Sequence, residues 1–270
     1  MKNVNEARRD EHFAEQISTA IWHEKPSDDN PFISRESRCH GYEHLALMQQ
    51  KSFAEVIFLL FRAELPTQDE HTLFNELLIA LIHPGPRHNA TRAAMNAAVS
   101  KTHSSHILPL ALQVLGGQWQ GSEEVFLAAK FLLKSQGQAP EDFTIDTPAE
   151  LTTDNTKPEL QLAPGFGSLY GTRDTYTHQL ADRLLALPQA GKMMQWGQQL
   201  ITAQANERIG WRISGLTAAC LVDLGFSPYQ AELIFQIASA PGIAAQAAEK
   251  TDQPITAMPF LKDKDYVIKT

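Results

Sequence analysis

Two helix-start signals close together constrain this chain more than anything else in it. Ser52 and Glu55 form an S-x-x-E capping box ahead of the apolar run from Val56 to Phe61. Thr67 and Glu70 form a second, ahead of Leu73, Leu77, Leu78 and Leu81, whose spacings of three and four residues put them on one helical face. Pro66 lies between the two helices, and Pro84, Gly85 and Pro86 stop the second, so an αα-hairpin followed by a sharp loop is expected. Period-2 runs of β-branched residues are essentially missing, which leaves room only for short, peripheral strands. The fold class read from these signals is all-α.

The helical pattern continues along the chain. Residues 89–102 are rich in alanine, including Ala90, Ala94, Ala97 and Ala98, as suits a helix packed closely against another backbone. Further helices are predicted over 104–114, 122–135, 175–186, 189–205, 212–224, 228–239 and 241–249. Residues 136–164 differ in kind. They carry Pro140, Pro148, Pro158 and Pro164 with no sustained periodicity, and read as a long loop of the sort that is usually functional or flexible.

Composition narrows the function classes. Lys and Arg total 23 against 31 Asp and Glu, a formal charge of -8, which argues against a general nucleic-acid or anionic-membrane surface. No stretch approaches the roughly 20 apolar residues needed to span a bilayer. The first thirteen residues alternate charges without an apolar segment, unlike a secretory signal. Cys39 and Cys220 are too few for a disulfide framework and read as inert, buried, small hydrophobes of a reducing compartment. A cytoplasmic protein is expected.

Four motifs bear on chemistry. The run PGFGSLYG from Pro164 to Gly171 is not a dinucleotide fingerprint, since no strand is expected before it and its last glycine falls one residue late. It is either an ordinary loop before a helix or a loop whose backbone N–H groups approach a phosphate or thioester. His103 and His106, with His83 and His88 upstream, lack a nearby Cys or carboxylate at ligand spacing, so they read as surface histidines and no metal is expected. Gly116 and Gly117 before Trp119, Gln120, Gly121 and Ser122 make a second glycine-rich turn that opens a helix. The stretch from Arg212 to Asp223 reads as a buried, nearly apolar helix.

Taken in order, these pieces resemble the citrate synthase superfamily, most of all its short citrate synthase-like and citryl-CoA lyase type. The resemblance runs from about Thr19 to Lys269. It includes Gly41-Tyr42, the segment from Lys51 to Pro66, Gly85-Pro86 with the alanine-rich helix, Pro164 to Gly167, Gly215 to Phe226, and Pro241-Gly242 with Gln246. Met258-Pro259 and Asp265-Tyr266 are similar to the family ending. The resemblance implies a homodimer. Its large helical domain would be residues 1–117 and 226–270, and its smaller domain, with the CoA and active-site loops, residues 118–225. It also implies carbon–carbon bond chemistry beside a CoA thioester carbonyl.

That chemistry needs a carboxylate base, one His to stabilise the enol and a second to polarise the acceptor carbonyl. The matching positions here are substituted. The G-x-x-H-G-G turn reads Gly117-Gln-Trp-Gln120-Gly121-Ser122, the P-G-F-G-H loop ends in Ser168, and N-I-D-G reads Arg212-Ile213-Ser214-Gly215. Gln120, Ser168 and Ser214 are therefore the expected occupants of the catalytic positions. The loop His position falls at Pro84, with His83 beside it, and the family's substrate arginines fall at Tyr176, Ser239 and Thr256. Asp223 is expected on the opposite helix face from Ser214, and Glu123 and Glu124 as a solvated first-turn pair.

The reading is a family homologue without the usual His/His/Asp set: a non-catalytic or regulatory protein that binds a CoA thioester or carboxylate. The alternative is an acyl-CoA-dependent enzyme of altered chemistry, an acyltransferase converting acyl to alkyl or a citryl-CoA lyase-like C–C lyase, with an acid such as Glu124 relocated into the site. No tightly bound cofactor is expected, CoA or an acyl-CoA being the ligand class the resemblance admits. Gly165, Phe166, Gly167, Tyr170, Arg173 and Arg212 are the residues expected to face it. For the two arginines the competing reading is pairing with acids such as Asp174 or Glu207.

Overall fold

A computed structural model of the chain describes residues 13–143 and 159–268. The chain divides into two compact units between Leu65 and Pro66. In the first, strands β1 (Trp22–Pro26), β2 (Ser34–Cys39) and β3 (Tyr42–Glu43) form an antiparallel sheet followed by helices α1 (His44–Gln50) and α2 (Phe53–Arg62). Cys39, Leu47 and Leu59 make its small core, with Val56, Leu60 and Leu65 packed on them. The capping box at the start of α2 forms as expected, Ser52 Oγ accepting from Glu55 N–H and the Glu55 carboxylate from Ser52 N–H.

The second unit opens with α3 (Gln68–Ala80), whose Thr67–Glu70 box also forms, and continues through α4 (Asn89–Val99), α5 (Ser104–Leu115) and α6 (Ser122–Lys134). After residues 144–158, which lie outside the described part of the predicted loop, come β4 (Gln161–Ala163), β5 (Phe166–Gly167), α7 (Thr175–Leu185), α8 (Lys192–Ala203), β6 (Gly210–Trp211), α9 (Ile213–Asp223) and α10 (Pro228–Lys250). Helix α9 is the buried centre, and every residue from Ser214 to Leu221 is inside. It packs on α3, α6, α8 and α10. The alanine face of α4, with Ala90, Ala94, Ala97 and Ala98 buried, packs on α5 and α10 of the same chain.

Three expectations are corrected. Residues 228–239 and 241–249 form one helix rather than two. Pro241 has no N–H to give, and the Gly242 N–H donates to the Ile82 carbonyl at 3.0 Å, so a tertiary bond carries the helix through the break. The strands are short but not all peripheral: Phe166, Gly167, Gly210 and Trp211 are buried, with the Phe166 and Trp211 rings 4.8 Å apart. A strand, β4, does precede the Pro164–Gly171 run, whose Phe166 and Gly167 are themselves β5, and helix α7 follows it as expected of a loop before a helix.

Other readings hold. The described residues are mostly helical, and both cysteines are buried and unpaired in disulfides, with burial pushing each thiol pKa up. No helix among the described residues is long and apolar enough to cross a membrane.

Candidate functional site

A cavity of about 180 Å³ lies inside the second unit. Its walls come from the end of α3, the 83–88 loop, the turn before α6, Leu169, the starts of α7 and α9, and the middle of α10. Positions singled out by sequence meet there, among them Pro84, Gln120, Tyr176, Ser214 and Ser239. They lie far apart in sequence, so their convergence supports the order of the motifs.

Gln120 is held rigidly. Its φ is 58°, a left-handed conformation that a residue with a Cβ adopts only when its surroundings fix it. Its N–H donates to Glu124 Oε2 at 3.0 Å, and its carbonyl accepts from His88 Nε2 at 3.0 Å. His88 Nδ1 accepts the Ala90 N–H and caps α4, so both ring nitrogens are used. Burial holds the His88 pKa below its usual range, against the opposing pull of the Gln120 carbonyl. His83 Nδ1 accepts the Gly85 N–H at 2.7 Å, which places the ring proton on Nε2. Both His83 and His88 line the cavity and are half-buried, not surface residues as expected, whereas His103 and His106 are exposed.

Ser214 is fully buried on the cavity wall, and its hydroxyl has no hydrogen-bond partner among the described residues. Ser168 does not reach the cavity. Its hydroxyl accepts from Leu160 N–H at 2.7 Å and donates to Glu159 Oε2 at 2.9 Å, tying the residue after β5 to the segment before β4. The neighbouring Leu169 takes the place on the wall.

Glu124 corrects the expectation of a solvated pair. It is 1% exposed and receives Arg212 Nη1 at 3.0 Å, Gln120 N–H and Gly165 N–H. Arg212, 3% exposed, also donates from Nε to the Ser168 carbonyl at 3.1 Å and lies 4.9 Å from the Trp119 ring centroid. Its carboxylate partners are Glu124 and, at 3.7 Å, Glu159, not Glu207. Glu123 stays at the surface side, accepting from Gln118. Sequence carried a signal for Glu124. It shares a helical face with Val125, Ala128, Ala129 and Leu132, all buried, while Glu123 lies off that face.

The glycine loop serves structure first. Gly165 has φ +81°, and a Cβ on it would strike the backbone of Gly215 at the start of α9. A Cβ on Gly167 would strike the Leu160 carbonyl, and Phe166 packs in the core. Tyr170 is 76% exposed, and Arg173 donates from Nε to the Ile209 carbonyl rather than pairing with Asp174, which caps α7. Of the six residues expected to face CoA, only Arg212 lines the cavity. Asp223 points away as expected, accepting the Met193 and Met194 N–H groups at the start of α8.

The arrangement offers hydrogen-bond donors and little else that is reactive. The Glu124 carboxylate is saturated by cationic and N–H partners, and Asp174 is engaged by the Tyr176 and Thr177 N–H groups and the Thr177 hydroxyl. Arg212 is neutralised. Among the described residues no three His, Cys, Asp or Glu side chains gather as a metal site.

This element order around a buried central helix is the citrate synthase-like fold, an all-α class. The chain superposes on citryl-CoA lyase from Hydrogenobacter thermophilus with a TM-score of 0.73 and 20% identity, covering 94% of each chain. ATP citrate lyase from Methanothrix soehngenii, solved in complex with citrate and coenzyme A, matches with a TM-score of 0.66 and 14% identity over 96% of this chain and 44% of that one. Citrate synthase from Thermoplasma acidophilum, in a ternary complex with carboxymethyl coenzyme A and oxaloacetate, gives 0.59 and 18% over 81% and 57%. At these identities the likeness is one of fold. No family model matches the chain, and no curated protein matches it in sequence.

Proposed function

We propose that this chain is a binding member of the citrate synthase fold, which takes a CoA thioester or a small carboxylate without forming or cleaving citrate. One observation carries the reading: the positions that converge on the cavity bring neither a free carboxylate base nor an unpaired arginine. Abstracting a proton beside a thioester carbonyl needs a base in reach, and a lone serine hydroxyl is far too weak. A tricarboxylate would bury charges that no cation on this wall offsets. In this reading the protein is a cytoplasmic homodimer with no tightly held cofactor.

A second reading, an acyl-CoA-dependent acyltransferase or C–C lyase of altered chemistry, is favoured by one feature. His83 and Ser214 are both on the wall with hydrogen-bonding capacity unused among the described residues.

Thermal melts of the full chain with acetyl-CoA, free CoA, citrate and oxaloacetate test the proposal. A ligand at about 100 times its Kd adds roughly 2.7 kcal/mol of stability. Stabilisation by acetyl-CoA without a citrate shift is the expected result, together with no citrate formed or citryl-CoA cleaved. Turnover with ordinary saturation would overturn it in favour of the second reading.

A further inference from the structure

The start of α9 is an uncapped helix end on the cavity wall. The side chain of its N-cap residue, Arg212, makes no capping bond, being drawn to Glu124 and the Ser168 carbonyl, and the first turn carries no acid. The N–H groups of Ile213 and Ser214 have no hydrogen-bond partner among the described residues, the first helical bond being Leu216 N–H to the Arg212 carbonyl. A helix end inside a protein requires partners for such groups, and its partial positive charge favours an anion. The second observation is independent of the helix: the Ser214 hydroxyl, 0% exposed, lines the same cavity without a partner. The Nε2–H of His83, without a partner among the described residues, and the side-chain amide of Gln120 belong to the same wall.

We infer that the α9 N-terminus is an oxyanion pocket for the single carboxylate of a short aliphatic monocarboxylic acid. The Ile213 and Ser214 N–H groups and the Ser214 hydroxyl donate to it. This rests on the reading that the cavity binds a ligand, and it names the ligand's chemistry.

Charge sets the limit of one. Arg212 and Glu124 cancel, and Asp174 is held by the start of α7, so helix-end N–H groups and hydroxyls are what remain for an anion. Volume sets the size: a dry cavity near 150 Å³ accepts benzene, so about 180 Å³ accepts roughly six to eight non-hydrogen atoms. Leu169, Leu180, Ile213 and Phe235 surround the place for the aliphatic tail. Citrate exceeds both limits.

The test is calorimetric titration of the full chain with sodium butyrate, its neutral isostere butyramide, and citrate. Butyrate should bind at least tenfold more tightly than butyramide, and citrate should give no saturable heat. Ser214→Ala should weaken butyrate about tenfold while leaving the melting temperature unchanged. Ser214→Asp, whose own carboxylate occupies the helix end, should raise the melting temperature and abolish butyrate binding. Equal binding of butyrate and butyramide, or unchanged affinity in Ser214→Ala, would overturn the inference, and the first comparison needs no variant to fold. A parallel titration with butyryl-CoA separates the two claims. Binding of the thioester without binding of butyrate ends the oxyanion pocket and leaves the proposed function standing. Failure of both ends both.

Discussion

Arg212 and Glu124 form an ion pair of 3.0 Å with side chains only 4% and 1% exposed, joining the start of α9 to the first turn of α6. The pair also clamps the backbone around the cavity. Glu124 holds the Gln120 and Gly165 N–H groups, and Arg212 holds the Ser168 carbonyl. The acid that the sequence offers as a relocated base, Glu124, is thereby committed to structure.

Breaking one side of this pair leaves a buried charge without its partner. Glu124→Gln should destabilise the protein by about 3–5 kcal/mol, whereas Glu124→Leu combined with Arg212→Met should cost less than either single change. Urea unfolding of the four variants, Glu124→Gln, Glu124→Leu, Arg212→Met and the double, checks this. A loss below about 1 kcal/mol for Glu124→Gln would place the pair in solvent.

The contact of Gly165 with Gly215 is backbone against backbone. A methyl on Gly215 would meet the Gly165 carbonyl, with no flexible side chain to yield. Gly215→Ala should therefore destabilise by about 1–3 kcal/mol or more, through displacement of the loop. Denaturant midpoints measure it, and an unchanged midpoint would contradict the close approach.

The local part of this architecture is legible in sequence and the rest is not, for a physical reason. The Ser52 and Thr67 boxes need only residues three apart, and both form. Alanine content identifies α4 as a close-packed helix, which it is. The path of α10 through Pro241 depends on the Ile82 carbonyl, from a distant segment, and no local rule supplies it. The convergence of Pro84, Gln120, Tyr176, Ser214 and Ser239 is foreshadowed by motif order alone. Ser168 departs from the group because Glu159 and Leu160, just before β4, hold its hydroxyl, and that strand has too few residues to show a period.

Two half-buried histidines make stability depend on pH. Burial lowers the folded pKa of His88, and burial together with Arg173 lowers that of His178, against the pull of Asp182 and Asp174. Each folded value lies below the unfolded one, near 6.5, so the unfolded chain binds protons more readily and stability falls as the pH drops below that value. The melting temperature should decline from pH 7.5 to pH 5. His88→Asn, which keeps an acceptor to cap α4, should flatten part of that decline. A flat profile in the unaltered protein would contradict the burial of both rings.

Leu110 and Val114 on α5 are 42% and 40% exposed, and we propose that this surface is the contact of the homodimer. The 30.0 kDa chain should sediment at about 60 kDa at micromolar concentration, as an interface of obligate size requires. Leu110→Lys with Val114→Lys should return it to the monomer. A monomer in the unaltered protein would end that part of the proposal.

The central claim is that the cavity holds no base able to take a proton from the carbon beside a thioester carbonyl. Proton NMR of acetyl-CoA in deuterated buffer with the protein at high concentration measures this step by itself, without any acceptor substrate. The account expects the methyl signal to decay at the rate seen in buffer alone. Protein-dependent exchange of deuterium into that methyl group, lost on Ser214→Ala or His83→Ala, would contradict it and establish the chain as an enzyme.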